Sequence, residues 1–126
     1  TQADAAAYCL EWSLICTLQT TNATPVATTV YTIPASSAIL VEAMIVCIDS
    51  TLAKAFAAMR AATFRRTAAI TVTQVGTTAL LYTELTDLAT AAATISNSSV
   101  SIQITVTGVA ATTLNWTIWA RITKSK

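Results

Sequence analysis

The chain is 126 residues long, the size of one ordinary domain. A domain of that length buries roughly two-thirds of the surface its unfolded form exposes, so it needs neither a metal nor a disulfide to fold. Hydrophobic residues make up 54% of it and charged residues only 10%, with a net charge of +1, against about 25% charged in an average soluble domain. That balance excludes electrostatic steering towards nucleic acid and implies a surface that largely meets other protein.

The missing residue types narrow the function further. Histidine is absent, which removes Ser-His-Asp and Cys-His catalysis and the commonest neutral metal ligand. Gly76 and Gly108 are the only glycines, too few for a phosphate-cradling loop. The carboxylates Asp4, Glu11, Glu42, Asp49, Glu84 and Asp87 follow no calcium-loop spacing, and no aromatic-rich cleft accompanies them to hold a sugar. The expectation is a protein that is not an enzyme and carries no cofactor or metal. The longest apolar run, residues 38–48, is interrupted by Glu42 and falls short of the about 20 residues a spanning helix needs. The start, Thr1-Gln2-Ala3-Asp4, lacks the basic-then-apolar order of a signal peptide, and the aromatics are too few for the two girdles of a membrane barrel. No membrane is expected.

Taken in chain order, residues 8–19 alternate with period two. Tyr8, Leu10, Trp12, Leu14, Cys16 and Leu18 share one face, while Glu11, Ser13, Thr17 and Gln19 lie on the other. A strand sends successive side chains to opposite sides, so this segment predicts a strand with Trp12 in the core. Residues 20–25 (Thr-Thr-Asn-Ala-Thr-Pro) carry turn chemistry, and the β-branched residues 26–33 predict a second strand that Pro34 stops. Residues 39–49 predict a third, well-buried strand. Residues 52–60 have high helix propensity, yet Phe56, Ala58, Arg60, Ala62 and Phe64 alternate, and the β-rich context selects a strand over 55–66. A strand over 68–75 is closed by Gly76, a short one follows at 79–83, and 84–89 reads as a loop or one helical turn. A strand opening at 92–95 leads to a turn at Asn97-Ser98. Val100, Ile102, Ile104 and Val106 then alternate with polar residues. After a turn at 108–113, Leu114, Trp116, Ile118, Ala120 and Ile122 make a final inward face, with Asn115, Thr117, Trp119, Arg121 and Thr123 outward and 124–126 a frayed tail. About eight short strands, with no internal repeat or linker, predict one antiparallel β-sandwich or barrel domain over 1–126.

The candidate functional residues are those placed to meet a partner. Trp119, outward beside Arg121, combines large apolar area with few rotamers and suits an interface, although a loop of its own chain could cover it. Arg60, Arg65 and Arg66 form the basic cluster; contact with an acidic partner is the functional reading, and a solvated strand end is the favoured one. Base-stacking aromatics are not interleaved there, so nucleic acid is not expected. Glu42 interrupts the most apolar strand and either pairs with an arginine such as Arg60 or faces solvent at an edge. Cys9, Cys16 and Cys47 form no CxxC pair; buried free thiols are the favoured reading, with Cys9–Cys47 or Cys16–Cys47 bridges open if the strands are neighbours.

Three stretches carry a resemblance: Thr20-Thr21-Asn22-Ala23-Thr24-Pro25 leading into Val30-Tyr31-Thr32-Ile33-Pro34, then Val41-Glu42-Ala43, and Ile70-Thr71-Val72-Thr73-Gln74-Val75-Gly76. The ending, Ile104-Thr105-Val106-Thr107-Gly108 followed by Leu114-Asn115-Trp116-Thr117, adds to it. With these the chain resembles a family of small phage virion domains found in tail fibres and as capsid decoration or cement proteins. The resemblance implies a jelly-roll-like β-sandwich assembled as a homotrimer, a strand near 56–66, and no catalytic residues. A glycine-rich loop common near 49–53 in that family is absent here. The function expected is therefore a non-enzymatic decoration protein on the outer surface of the head, contacting the major capsid protein. The alternative is a tail-fibre or head-fibre knob that binds a host receptor or glycan, with Trp119 and Tyr82 as its outward aromatics.

Overall fold

The computed structural model describes residues 10–81 and 84–125. All the regular structure among them is β: β1 (Leu10–Thr20), β2 (Val26–Thr32), β3 (Ser37–Asp49), β4 (Ala55–Arg66), β5 (Val72–Leu80), β6 (Leu85–Thr86), β7 (Ala92–Ser98), β8 (Ser101–Thr107) and β9 (Leu114–Lys124). A large antiparallel sheet runs in the order β1-β9-β3-β4-β5, with β6 also on β4; a small one runs β2-β8-β7. First pairs with last (β1 with β9) and second with eighth (β2 with β8), the nested winding of a jelly roll. The pattern departs from a full jelly roll at β3, which hairpins to β4 within the same sheet.

The two sheets meet over one apolar core. Ile39, Val41, Ala43, Ile45 and Cys47 of β3 alternate inward, as do Phe56, Ala58, Ala62 and Phe64 of β4 and Leu114, Trp116, Ile118, Ala120 and Ile122 of β9. Ile95, Ile102, Ile104 and Val106 of the small sheet face them. Trp116 lies edge-on to Phe56, with centroids 5.7 Å apart, and its indole N–H donates to the Thr20 hydroxyl at 2.9 Å. Gly108 packs against that hydroxyl so closely that a Cβ there would come within 2.5 Å of Thr20 Oγ1 and of the Asn22 carbonyl. The turn between β1 and β2 is an Asx turn in which Asn22 Oδ1 accepts from the Thr24 N–H at 2.8 Å.

The strand expected over 55–66 is present with those bounds, because alternate burial of Phe56 to Phe64 outweighs local helix propensity. Elsewhere the elements differ from expectation for local reasons. Residues 68–70 form a bend and not strand, pinned where Arg66 Nε donates to the Ala69 carbonyl and Thr67 N–H to that of Thr71. The strand that follows starts at Val72 and runs through Gly76 to Leu80, because Gly76 takes φ 78° and a register shift absorbs the kink. Leu85 and Thr86 add a two-residue strand to a segment expected as loop. The β7–β8 turn falls at Ser99-Val100, with Ser99 at φ 52°, directly after Asn97-Ser98 and two residues along from it. Ser125 is tied to Ala38 by two hydrogen bonds, so the chain is paired and not frayed up to that residue.

Trp12 corrects the expected core: it keeps the inward parity but is 52% exposed. The small sheet is narrower than the large one and does not extend over this end of β1, the large sheet's edge. Cys16 and Cys47 are free thiols. They sit two strands apart, about 10 Å across the ladder, beyond the roughly 7 Å a bridge allows. Tyr8, Cys9 and Tyr82 lie outside the described residues.

Candidate functional site

The third strand was expected to be well buried, and it is buried on one face only. Ile39, Val41, Ala43, Ile45 and Cys47 point into the core, while Leu40, Met44, Val46 and Ile48 stand exposed on the outer face of the large sheet. An antiparallel sheet with a solvated face ordinarily places polar residues there. Met44 and Val46, at 45% and 48% exposure in the middle of a central strand, break that rule.

Cross-strand register builds these residues into a surface. Directly paired residues share a face, and Ile15 pairs with Trp119, Trp119 with Met44, and Met44 with Met59, giving one apolar row across β1, β9, β3 and β4. The Leu81 N–H donates to the Met59 carbonyl at 3.1 Å and brings a further exposed leucine to the end of the row. Beside it lies an open depression of about 340 Å³ lined by Met44, Val46, Ala57, Met59 and Leu85 among others. The row is bordered by Glu42 and Arg121, which are directly opposite each other; Arg121 donates to Glu42 Oε1 from Nη2 at 2.7 Å and from Nε at 3.1 Å. The pair neutralises its own charge, so the apolar row has a charge-balanced border on this side, with Thr17 and Thr117 on the other.

Of the residues singled out from the sequence, three meet here: Trp119, half-buried between Ile15 and Met44, and the Glu42–Arg121 pair. The partner expected for Glu42 is corrected from Arg60 to Arg121. Glu42 pairs in register with Ala61, so Arg60, one residue away, points to the opposite side of the sheet. Arg60 is instead buried, and its guanidinium is ion-paired with Glu84. Arg66 holds the ends of two loops, donating to the Ile33 carbonyl at 2.6 Å and to that of Ala69 at 2.9 Å, while Arg65 is exposed. The three arginines therefore form no single basic patch. Sequence reasoning missed Ile15, Met44, Val46 and Met59; the signal present was that β3 reads apolar at both parities.

The described residues offer little reactive chemistry. Burial pushes the Cys47 thiol up to about 11 and raises that of Cys16, so thiolate is scarce at neutral pH. No group of three or more His, Cys, Asp or Glu among the described residues could hold a metal ion. Among the described residues, no helix is long and apolar enough to cross a membrane.

By fold the chain is an all-β protein of two antiparallel sheets in a sandwich-like arrangement. No protein-family model and no curated protein matches it in sequence. Among solved structures it is similar to the tailspike protein of Acinetobacter baumannii phage AM24, with a TM-score of 0.50 and 12% identity. The similarity covers 91% of this chain but 26% of the tailspike, so the chain spans about a quarter of that protein's length. At that identity the likeness is one of fold.

Proposed function

We propose that the chain is a non-enzymatic structural subunit of a phage virion, which docks on neighbouring virion protein through the outer face of its large sheet. The observation that carries this reading is the row Ile15–Trp119–Met44–Met59, with Ile15 and Met44 exposed and Trp119 and Met59 half-buried, on a chain with only 10% charged residues. Leaving such a patch in water forgoes about 25 cal/mol for every Å² that a partner would cover. A β-sandwich similar in fold to part of a phage tailspike supports a place in a virion. Capsid decoration is the first placement: homotrimers on the head surface, bridging major capsid subunits.

The experiment is to compare heads carrying the chain with heads stripped of it under heat and osmotic shock. Stripped heads are expected to release DNA sooner, and re-adding the chain to restore them. Equal survival would contradict the head placement. The tailspike likeness favours a second placement, as a module of a fibre or spike that contacts the host surface; there, loss of the chain lowers host adsorption and leaves head stability unchanged.

A further inference from the structure

Sheet edges display unpaired N–H and C=O groups, and proteins ordinarily protect them with bulges, short strands, proline, lysine or a covering loop. Three of the four edges here are protected. β2 is seven residues long, lies between Pro25 and Pro34, and carries a register shift at Thr29/Tyr31. β5 is kinked at Gly76 by a register shift. β7 is packed against β5, where the Thr78 hydroxyl donates to the Ile95 carbonyl at 3.4 Å.

Among the described residues, β1 has none of these devices. It pairs with β9 over eleven consecutive residues without a shift, and contains no proline, glycine or lysine and one charged residue, Glu11. Among the described residues, β9 is its one strand partner. Its outer face is open, with Ile15 67% exposed, and its inner face is covered only in part: Trp12 is 52% exposed, while Leu14, Cys16 and Leu18 are partly buried against the core.

We infer that β1 is a strand-pairing edge whose occupant is β1 of a second copy, antiparallel about a two-fold axis through Ile15. The sequence of β1 supports this register. Centred on Ile15, it sets Ile15 opposite the partner's Ile15, Leu14 opposite the partner's Cys16, Trp12 opposite the partner's Leu18, and Ser13 opposite the partner's Thr17. From position 12 to 18 apolar thus meets apolar on both faces and hydroxyl meets hydroxyl on the outer one; only at the strand's ends does Leu10 fall opposite the partner's Thr20. The single charge is also accommodated, because Glu11 falls opposite the partner's Gln19 and the two Glu11 positions lie about 27 Å apart along the strand, too far to repel across the ladder. Shifting the axis to Leu14 or Cys16 sets Ile15 against a serine or a threonine. The pairing would join two large sheets into one and make the apolar row continuous, from Met59 through Ile15 to the partner's Met59.

The size of the contact sets its strength. Eleven residues make a strip about 37 Å long, and a layer about 10 Å thick gives a footprint of roughly 400 Å² per partner. That is about half the ~800 Å² per partner of a stable interface, so the pairing is reversible and concentration-dependent. The contact closes at two copies and is separate from a three-fold assembly, which it would double. It rests on the reading that the chain packs with protein, and on no particular place in the virion.

The test is native mass of the purified full chain by sedimentation across a wide concentration range, beside Ile15→Lys. Ile15 is exposed, so the variant keeps its fold, checked by an unchanged Tm. The wild type is expected to double in mass as concentration rises, and Ile15→Lys to weaken that step about tenfold or more. In a Cys9→Ser, Cys16→Ala background, Ile15→Cys is expected to form a disulfide dimer on oxidation. Ser13→Cys alone is not, but Ser13→Cys mixed with Thr17→Cys is. A mass that never doubles, a doubling indifferent to Ile15→Lys, or cross-links that ignore this register would overturn the inference. A virion that still needs the chain would leave the docking function standing.

Discussion

Two ion pairs of the same chemistry have different consequences here, because their solvent exposure differs. Arg60 has 7% of its side chain exposed and depends on Glu84 to offset its charge, whereas Arg121 and Glu42 are 42% and 30% exposed. Removing Glu84, itself 32% exposed, leaves a buried guanidinium without its counter-charge. That costs less than the loss of about 3–5 kcal/mol for a fully buried pair, but more than the under about 1 kcal/mol of an exposed one. Glu84→Ala is therefore expected to lower the urea midpoint sharply, and Glu42→Ala to leave it nearly unchanged. Equal losses would show that Arg60 has another means of offsetting its charge. Both glutamates were visible as sequence features, but nothing in the sequence distinguished their roles. Parity along β4 put Arg60 on the inward face with Phe56 and Phe64, and a burial pattern alone does not reveal which carboxylate a distant loop delivers.

At the scale of elements, the loop between β3 and β4 shows how a segment without glycine makes a tight connection. Leu52 adopts φ 60°, a left-handed conformation that ordinarily favours glycine. Asp49 holds the loop: its carboxylate accepts from the Ala53 N–H at 2.8 Å, the Thr51 hydroxyl at 2.8 Å and the Lys54 N–H at 3.2 Å. The Ala53 N–H first, then the Thr51 hydroxyl, keeps the Asp49 carboxyl below its ordinary range. A carboxylate whose pKa is depressed by folding stabilises the native state above its unfolded value, about 3.9, and loses that contribution as pH falls through the folded value. Asp49→Asn should thus be less stable than wild type at neutral pH, with the difference shrinking below about pH 4 as the wild type also loses its charge. Urea midpoints of both proteins across acid pH measure this, and a difference that stays constant would place the role of Asp49 elsewhere.

The strands were largely legible in the sequence where one parity is apolar and the other polar. Ile102, Ile104 and Val106 against Gln103 and Thr105 specify both a strand and its buried face, and β9 does the same from Leu114 to Ile122. β4 was legible for the same reason, although its alanines favour a helix. Legibility failed where alternation carries no contrast. In β3 both parities are apolar, which reads as burial on both sides, yet only one side is covered. Trp12 shows the complementary failure: its parity was right, but burial depends on how far the opposing sheet extends, which pairing across residues 26–107 decides. Turns were least legible, since the bends at 68–70 and at Ser99 are set by Arg66 and by hairpin register rather than by proline or glycine.

For the whole molecule, one feature organises the rest: a sandwich whose larger sheet carries an apolar row across the middle of its otherwise mostly polar outer face. Core residues have been spent on the inner side of β3, β4 and β9, so the outer Met44, Trp119 and Ile15 contribute little to folding and are free to serve contact with other protein. Retention of the purified chain on stripped virions, wild type against Met44→Lys, tests this most directly. Met44 is exposed, so the substitution should leave Tm nearly unchanged while lowering retention about tenfold or more, as a charge inserted at the centre of a desolvated interface does. Equal retention of the two proteins, both folded, would contradict the claim that this face is where the chain docks.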